Sequence, residues 1–203
     1  VQSGVCTIEN STYTTVTVYP TTQGGTVTGV NDEICYDEPN TGVMTLSGEI
    51  GSVLMWQRQY NATLPGGWSN IANTNTTYTD NTPLTAGTWY YRAVVQSGPS
   101  CAVEYSAPHD IVVHPQFNLA QLGGAASICD GTATNLSVTM TGGTSTYTIN
   151  YTRSKDGGPA AAQPQINGYV SGTPFSTGNL TTGTYVYTIT SVTDAHGCYA
   201  ESY

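Results

Sequence analysis

Short apolar alternations broken by turn residues run through this chain. Apolar or β-branched positions cluster at 33–35, 43–46, 53–59, 78–79, 89–96 and 111–113. Between them lie the turn sequences PNTG at 39–42, PGG at 65–67, DNTP at 80–83 and SGP at 97–99. Alternation of period two bounded by such residues predicts short antiparallel strands, and strands at this spacing predict a sandwich of two sheets. A second series follows the same plan, with runs at 136–140, 147–151 and 185–192 and turns at 142–143, 157–159 and 181–183. Parity assigns one face to the core. Leu54 with Trp56, and Tyr147 with Ile149 and Tyr151, are expected to point inward, opposite Trp89, Tyr91 and Ala93 or Tyr185, Tyr187 and Ile189.

The two series are copies. Val1-Gln-Ser-Gly4 recurs as Val95-Gln-Ser-Gly98, and Cys6, Pro20 and Cys35 are matched by Cys101, Pro115 and Cys129 at offsets of 95, 95 and 94. A period this long describes beads that each bury a core, not the thin stacked units of a solenoid. The expected organisation is 1–20 as the C-terminal strand region of an upstream repeat, 21–115 as one sandwich, and 116–203 as a second that lacks its last strand. The linker 116–124 is short, and Phe117, Leu119 and Leu122 in it are expected to pack between units and limit bending.

Composition sharpens the class. Thr, Val, Ile and Tyr suit a pleated, half-buried surface, and thirty-five threonines outweigh the sparse helix formers. The class is all-β. With 13 acids against 4 basic residues the net charge is −9, a surface that does not neutralise phosphates, so nucleic acid and anionic membrane are not expected partners. No apolar stretch is long enough to insert into a bilayer. Six Asn-x-Ser/Thr triplets, at Asn10, Asn61, Asn75, Asn135, Asn150 and Asn179, are what a chain so rich in Thr and Asn produces by chance.

The cysteines follow the repeat. Cys35 stands near the start of one unit and Cys101 near its end; Cys129 and Cys198 hold the same places in the next. One pair per unit gives Cys35–Cys101 and Cys129–Cys198, with Cys6 joined to a cysteine upstream of Val1. Each bridge is expected to tie a first strand to a last hairpin at the pole where the chain enters its unit. No CxxC or Cys/His cluster favours a metal, and structural disulfides imply an oxidising, extracytoplasmic home.

Leu84-Thr-Ala-Gly-Thr-Trp-Tyr-Tyr91 and Leu180-Thr-Thr-Gly-Thr-Tyr-Val-Tyr187 share the form L-x-x-G-T-aromatic-x-Tyr. It resembles the tyrosine corner of immunoglobulin-like domains, a role that Tyr185 fits directly. Trp89 departs from it, because indole offers only an N–H donor. Together with Trp56, Trp68-Ser-Asn-Ile71, Tyr78, Cys101 and Val112-Val-His-Pro115, these residues resemble the immunoglobulin-like repeats of giant surface proteins in Bacteroidetes. The second unit, with Ile128-Cys-Asp-Gly131, Tyr147, Tyr151 and Val192-Thr-Asp-Ala-His-Gly-Cys198, is similar to the repeats of SprB-type gliding adhesins. The resemblance implies tandem immunoglobulin-like antiparallel β-sandwiches, export by the type IX route, display on the cell surface, and a role in adhesion or gliding motility. It carries over no catalytic residue.

The residues themselves point the same way. His109 and His114 flank a terminal strand and His196 sits in the Asp194-Ala-His-Gly197 turn, places that read as structural. No nucleophile motif or phosphate-cradling glycine pattern is present, so no enzyme is expected. Asp32, Glu33, Asp37 and Glu38 bracket Cys35, and Asp130 and Asp194 lie beside the second pair. Such oxygen ligands at a pole could hold a structural Ca²⁺, but the spacing matches no calcium loop. They are read as a solvated acidic rim, and no metal or cofactor is assigned. Trp68 and Tyr60, flanking the PGG turn, are the candidate sugar-stacking rings. The expected function is a disulfide-stapled structural repeat of a large extracellular surface adhesin or filament. Its partners would be neighbouring repeats of the same chain, with surface polysaccharide or other surface proteins beyond them. The alternative is a carbohydrate-binding module of a secreted multidomain protein.

Overall fold

The computed structural model describes residues 13–38, 41–61 and 67–201. Its secondary structure is all strand. In the first unit β1 (Thr26–Thr28), β3 (Met44–Ser47) and β6 (Thr77–Tyr78) form one antiparallel sheet in the order β1-β3-β6. The facing sheet has the order β2-β9-β7-β4-β5, from β2 (Glu33–Cys35), β9 (His109–His114), β7 (Gly87–Gln96), β4 (Ser52–Tyr60) and β5 (Ser69–Ile71). The short β8 (Glu104–Tyr105) also pairs with β7. β2 alone runs parallel to its neighbour, β9.

The second unit repeats the two layers. β10 (Asn118–Gly123), β11 (Asn135–Thr141) and β15 (Pro174–Ser176) make the small sheet. In the other, β12 (Tyr147–Lys155) carries β16 (Tyr185–Thr193) on one edge and β14 (Ile166–Tyr169) then β13 (Ala161–Ala162) along the other.

Each unit has its own core, fed from both of its sheets. In the first, Trp56, Tyr91, Ala93, Val95 and Ile111 are fully buried against Met44 and Leu46 of the small sheet. The indole N–H of Trp56, taken from water, donates to the Asn75 carbonyl at 2.8 Å. In the second, Ile149, Val192, Val138 and Phe117 hold the corresponding place.

The parity expectation fails at one residue. Leu54 is 39% exposed while Val53 and Trp56 are buried. The register slips between Val53 and Met55, and the extra residue of this β-bulge turns Leu54 outward.

The shared corner motif folds alike in both copies. Asn61 and Asp156, both at positive φ, each follow a long strand. Each accepts from the N–H of the motif threonine, Thr88 at 3.1 Å and Thr184 at 2.7 Å. The Trp89 indole N–H donates to the Thr85 carbonyl at 3.0 Å, a backbone bond four residues back made without a hydroxyl. Tyr185 meets the Thr181 hydroxyl at 3.1 Å at the same spacing.

Candidate functional site

The parallel pairing of β2 with β9 sets the chemistry of the joint between units. It places Cys35 beside His114, the last residue of β9, at the pole where the chain leaves the first unit. Cys101 sits at the opposite pole, beyond Gln96, with its thiol near the Pro20 carbonyl at 3.7 Å. Since Gly87 pairs with Val113 at the Cys35 end, the length of β7, about 30 Å at strand rise, separates the two cysteines. A disulfide needs Cα atoms within about 7 Å. The expected Cys35–Cys101 bridge is therefore ruled out by topology. Cys129–Cys198 fails likewise, because Cys129 lies by Leu180, before β16, and Cys198 follows its far end, about 25 Å along the strand.

The bridge that forms is Cys35–Cys198, with Cα atoms 5.5 Å apart and 163 residues apart in sequence. It ties the leaving pole of the first unit to the final hairpin of the second. Cys101 is half-buried and Cys129 exposed, both as thiols. Cys6, with its expected upstream bridge, lies outside the described residues.

Asp194 builds the second unit's half of the joint. It is 5% exposed, and its carboxylate accepts from the N–H groups of His196 at 2.9 Å, Cys198 at 3.0 Å and Thr144 at 2.9 Å. These bonds wind the 194–198 turn so that His196 and Cys198 both face the first unit. Asp194 is thus a buried turn organiser and not part of an acidic rim, and Asp130 is held by the Thr182 N–H at 2.6 Å. Asp32 and Glu33 are largely exposed, as expected of a rim.

The connector is equally fixed. Phe117 is fully buried, bridges Ala200 and packs 5.6 Å from Tyr147. A Cβ on Gly143 would come within 2.8 Å of the Phe117 ring, so this turn must be glycine. Cys35 packs on the second unit's core, as does Leu122. Phe117 and Leu122 belong to that core instead of to a hydrophobic pad between units, and the Leu119 side chain lies outside the description.

Three side chains from both units converge beside the bridge. Glu33 of β2 meets His114 Nε2 at 3.0 Å and His196 Nδ1 at 3.3 Å through the same oxygen, Oε2. The two imidazoles stack with centroids 3.5 Å apart and planes 17° apart. The hydrogen bond from His114, against a smaller opposing effect of desolvation and with help from both imidazoles' charge, holds the Glu33 carboxyl below its ordinary range. From sequence both histidines read as structural, one flanking a terminal strand and the other in a turn. The signal was present all the same: Glu33 and His196 each stand two residues before a bridged cysteine, but it needs the correct pairing to be seen.

The candidate sugar-binding rings do not share a surface. Tyr60 lies on the same face of β4 as buried Trp56; its ring contacts Trp89 at 5.1 Å and its hydroxyl donates to the Ala86 carbonyl at 2.6 Å. Trp68 lies over Arg92, which faces outward between two buried neighbours of β7. The Arg92 guanidinium fills the gap between Trp68 at 4.0 Å and Tyr105 at 3.9 Å, and its Nε donates to Gln57. The platform face of Trp68 is occupied by a cation of the protein itself.

Residues 23–115 match the profile of a domain of unknown function, DUF8696. The match covers the first unit and ends at the linker. No curated protein matches the chain.

Proposed function

We propose that this chain is a structural spacer, a run of immunoglobulin-like sandwiches within a large extracellular surface adhesin or filament, in which a disulfide fastens each unit to the next. The observation that carries this reading is the Cys35–Cys198 bridge, which closes the joint and not a single core. A bridge inside a unit protects that unit alone, whereas one across a joint removes the hinge between beads. A second observation supports it. The chain enters the first unit as it enters the second: Tyr19 lies against Gly98 of the 97–101 hairpin, Ser97 donates to the Pro20 carbonyl, and buried Thr22 donates to the Ala102 carbonyl at 2.8 Å. Tyr19-Pro20 and His114-Pro115 thus occupy matching places along matching hairpins. The same entry geometry at both units suits a chain meant to hold its axis.

Export by the type IX route, gliding and adhesion belong to this reading through the resemblance to SprB-type repeats, with adhesive contacts residing elsewhere in the larger protein. The oxidised bridge supports an extracytoplasmic home. The separation of Trp68 from Tyr60 weighs against the carbohydrate-binding alternative. Small-angle scattering before and after mild reduction tests the proposal. The oxidised chain should scatter as one elongated, rigid particle, and reduction should broaden the distribution of sizes without unfolding either unit. Micromolar binding of a defined glycan that is lost in Trp68→Ala would move the assignment to a carbohydrate-binding module.

A further inference from the structure

We infer that Glu33, His114 and His196 form a binding site for a late first-row divalent cation of the Zn²⁺ type, shared between the two units beside the Cys35–Cys198 bridge. One ligand atom from each residue, Glu33 Oε2, His114 Nε2 and His196 Nδ1, lies within 4.8 Å of the other two. Two imidazoles and one carboxylate are the donor set of a tetrahedral ion that keeps its fourth position for water, and on binding the stacked rings turn apart so that their in-plane lone pairs converge on it. The donor types choose the ion. Ca²⁺ takes six to eight oxygens, and this cluster supplies one carboxylate; neutral imidazole selects zinc, copper or nickel.

The scaffold is fixed on both sides. Glu33 and His114 stand on paired strands, β2 and β9, at the leaving pole of the first unit. His196 is presented by the turn that buried Asp194 winds through three N–H bonds. The disulfide two residues beyond Glu33 and His196 clamps the halves together, so little ordering entropy remains to be lost on binding. Access is open, because the Glu33 side chain is 60% exposed and that of His196 31%. The short contacts from Glu33 to both rings show that the three donor atoms already converge on one point. Occupied, the site would be a second and reversible fastening of a joint that the disulfide already closes, and it stands whether or not the chain serves adhesion.

The test is calorimetric titration of Zn²⁺ into the oxidised chain after alkylation of its free thiols, Cys101 and Cys129 among them, which would otherwise compete. Nitrogen-15 spectra of the histidine rings are recorded alongside. The result expected is one equivalent bound, with His114 and His196 shifting together and His109, which pairs with exposed Asp32 at 3.2 Å, left in place. Glu33→Gln and His196→Gln should each weaken binding by more than the roughly 100-fold that loss of an outer-shell partner can cost. His109→Gln should leave it unchanged. Should a variant fail to fold, the ring shifts of the unmodified sequence decide alone. No stoichiometric binding, a shift confined to one of the two rings, or full affinity in a folded His196→Gln would overturn the site.

Discussion

The two units share a motif, a corner and a two-layer plan, yet the tyrosine that ends the motif meets different surroundings in each. Tyr91 is fully buried in the first unit, whereas in the second Tyr187 lines a cleft of about 500 Å³ with Leu136, Leu180 and Tyr185 among others. Tyr91 donates to the carboxylate of Asp80 at 3.0 Å, while the hydroxyl of Tyr187, at the same motif position, is buried with no partner among the described residues. The same corner bonds form in both copies, whereas the core tyrosine is satisfied only where the loop before its strand supplies a carboxylate, Asp80, eleven residues before Tyr91.

The largest effect expected is on the coupling of the units. Cys35→Ser removes a cross-link that closes a loop of 163 residues, worth about 5 kcal/mol when both units unfold together, by chain entropy. Denaturant unfolding should show that loss as well as two transitions that no longer move together. Next comes Asp80→Asn, confined to the first unit. Asp80 is 1% exposed and receives Arg58, Thr82 and Tyr91, so breaking this cluster should cost about 3 kcal/mol there and leave the second transition in place.

The same cluster gives the first unit an acid dependence. Burial disfavours the Asp80 carboxylate, but hydrogen bonds from the Thr82 hydroxyl and N–H, then from Arg58 with its charge, outweigh that and hold its pKa below the ordinary value. A folded value below the unfolded one means that the stabilisation is complete above the ordinary carboxylate range and is lost as pH falls through the depressed value. Melting of Asp80→Asn against pH should lack that slope. The smallest effect is the sharpest contrast. Tyr91→Phe should destabilise the first unit by about 1–2 kcal/mol, while Tyr187→Phe, which removes a hydroxyl without a partner, should be neutral or mildly stabilising. Equal losses in the two variants would mean that the two cores are not different in the way described.

The class and layers were legible because alternation and turn residues act locally. Trp56, Tyr91, Ile149 and Ile189 lie in the core where parity puts them. Leu54 does not, because a bulge adds one residue and nothing in the alternation marks it. The joint was harder to read. A repeat states which cysteines are equivalent, and Cys35 with Cys129 and Cys101 with Cys198 are equivalent, but equivalence does not say whether a bridge closes within a unit or between neighbours. The deciding fact is that β2 runs parallel to β9, which carries Cys35 away from Cys101, and strand direction is not written in the spacing of apolar residues. His114 and His196 read as structural for the same reason, since His196 joins Glu33 and His114 only across that joint.

Peptide mapping of the non-reduced chain is the most direct test of the inter-unit staple. The account expects a Cys35–Cys198 cross-linked peptide, with Cys101 and Cys129 recovered as thiols. Recovery of Cys35–Cys101 together with Cys129–Cys198 would return each bridge to its own unit and contradict the account.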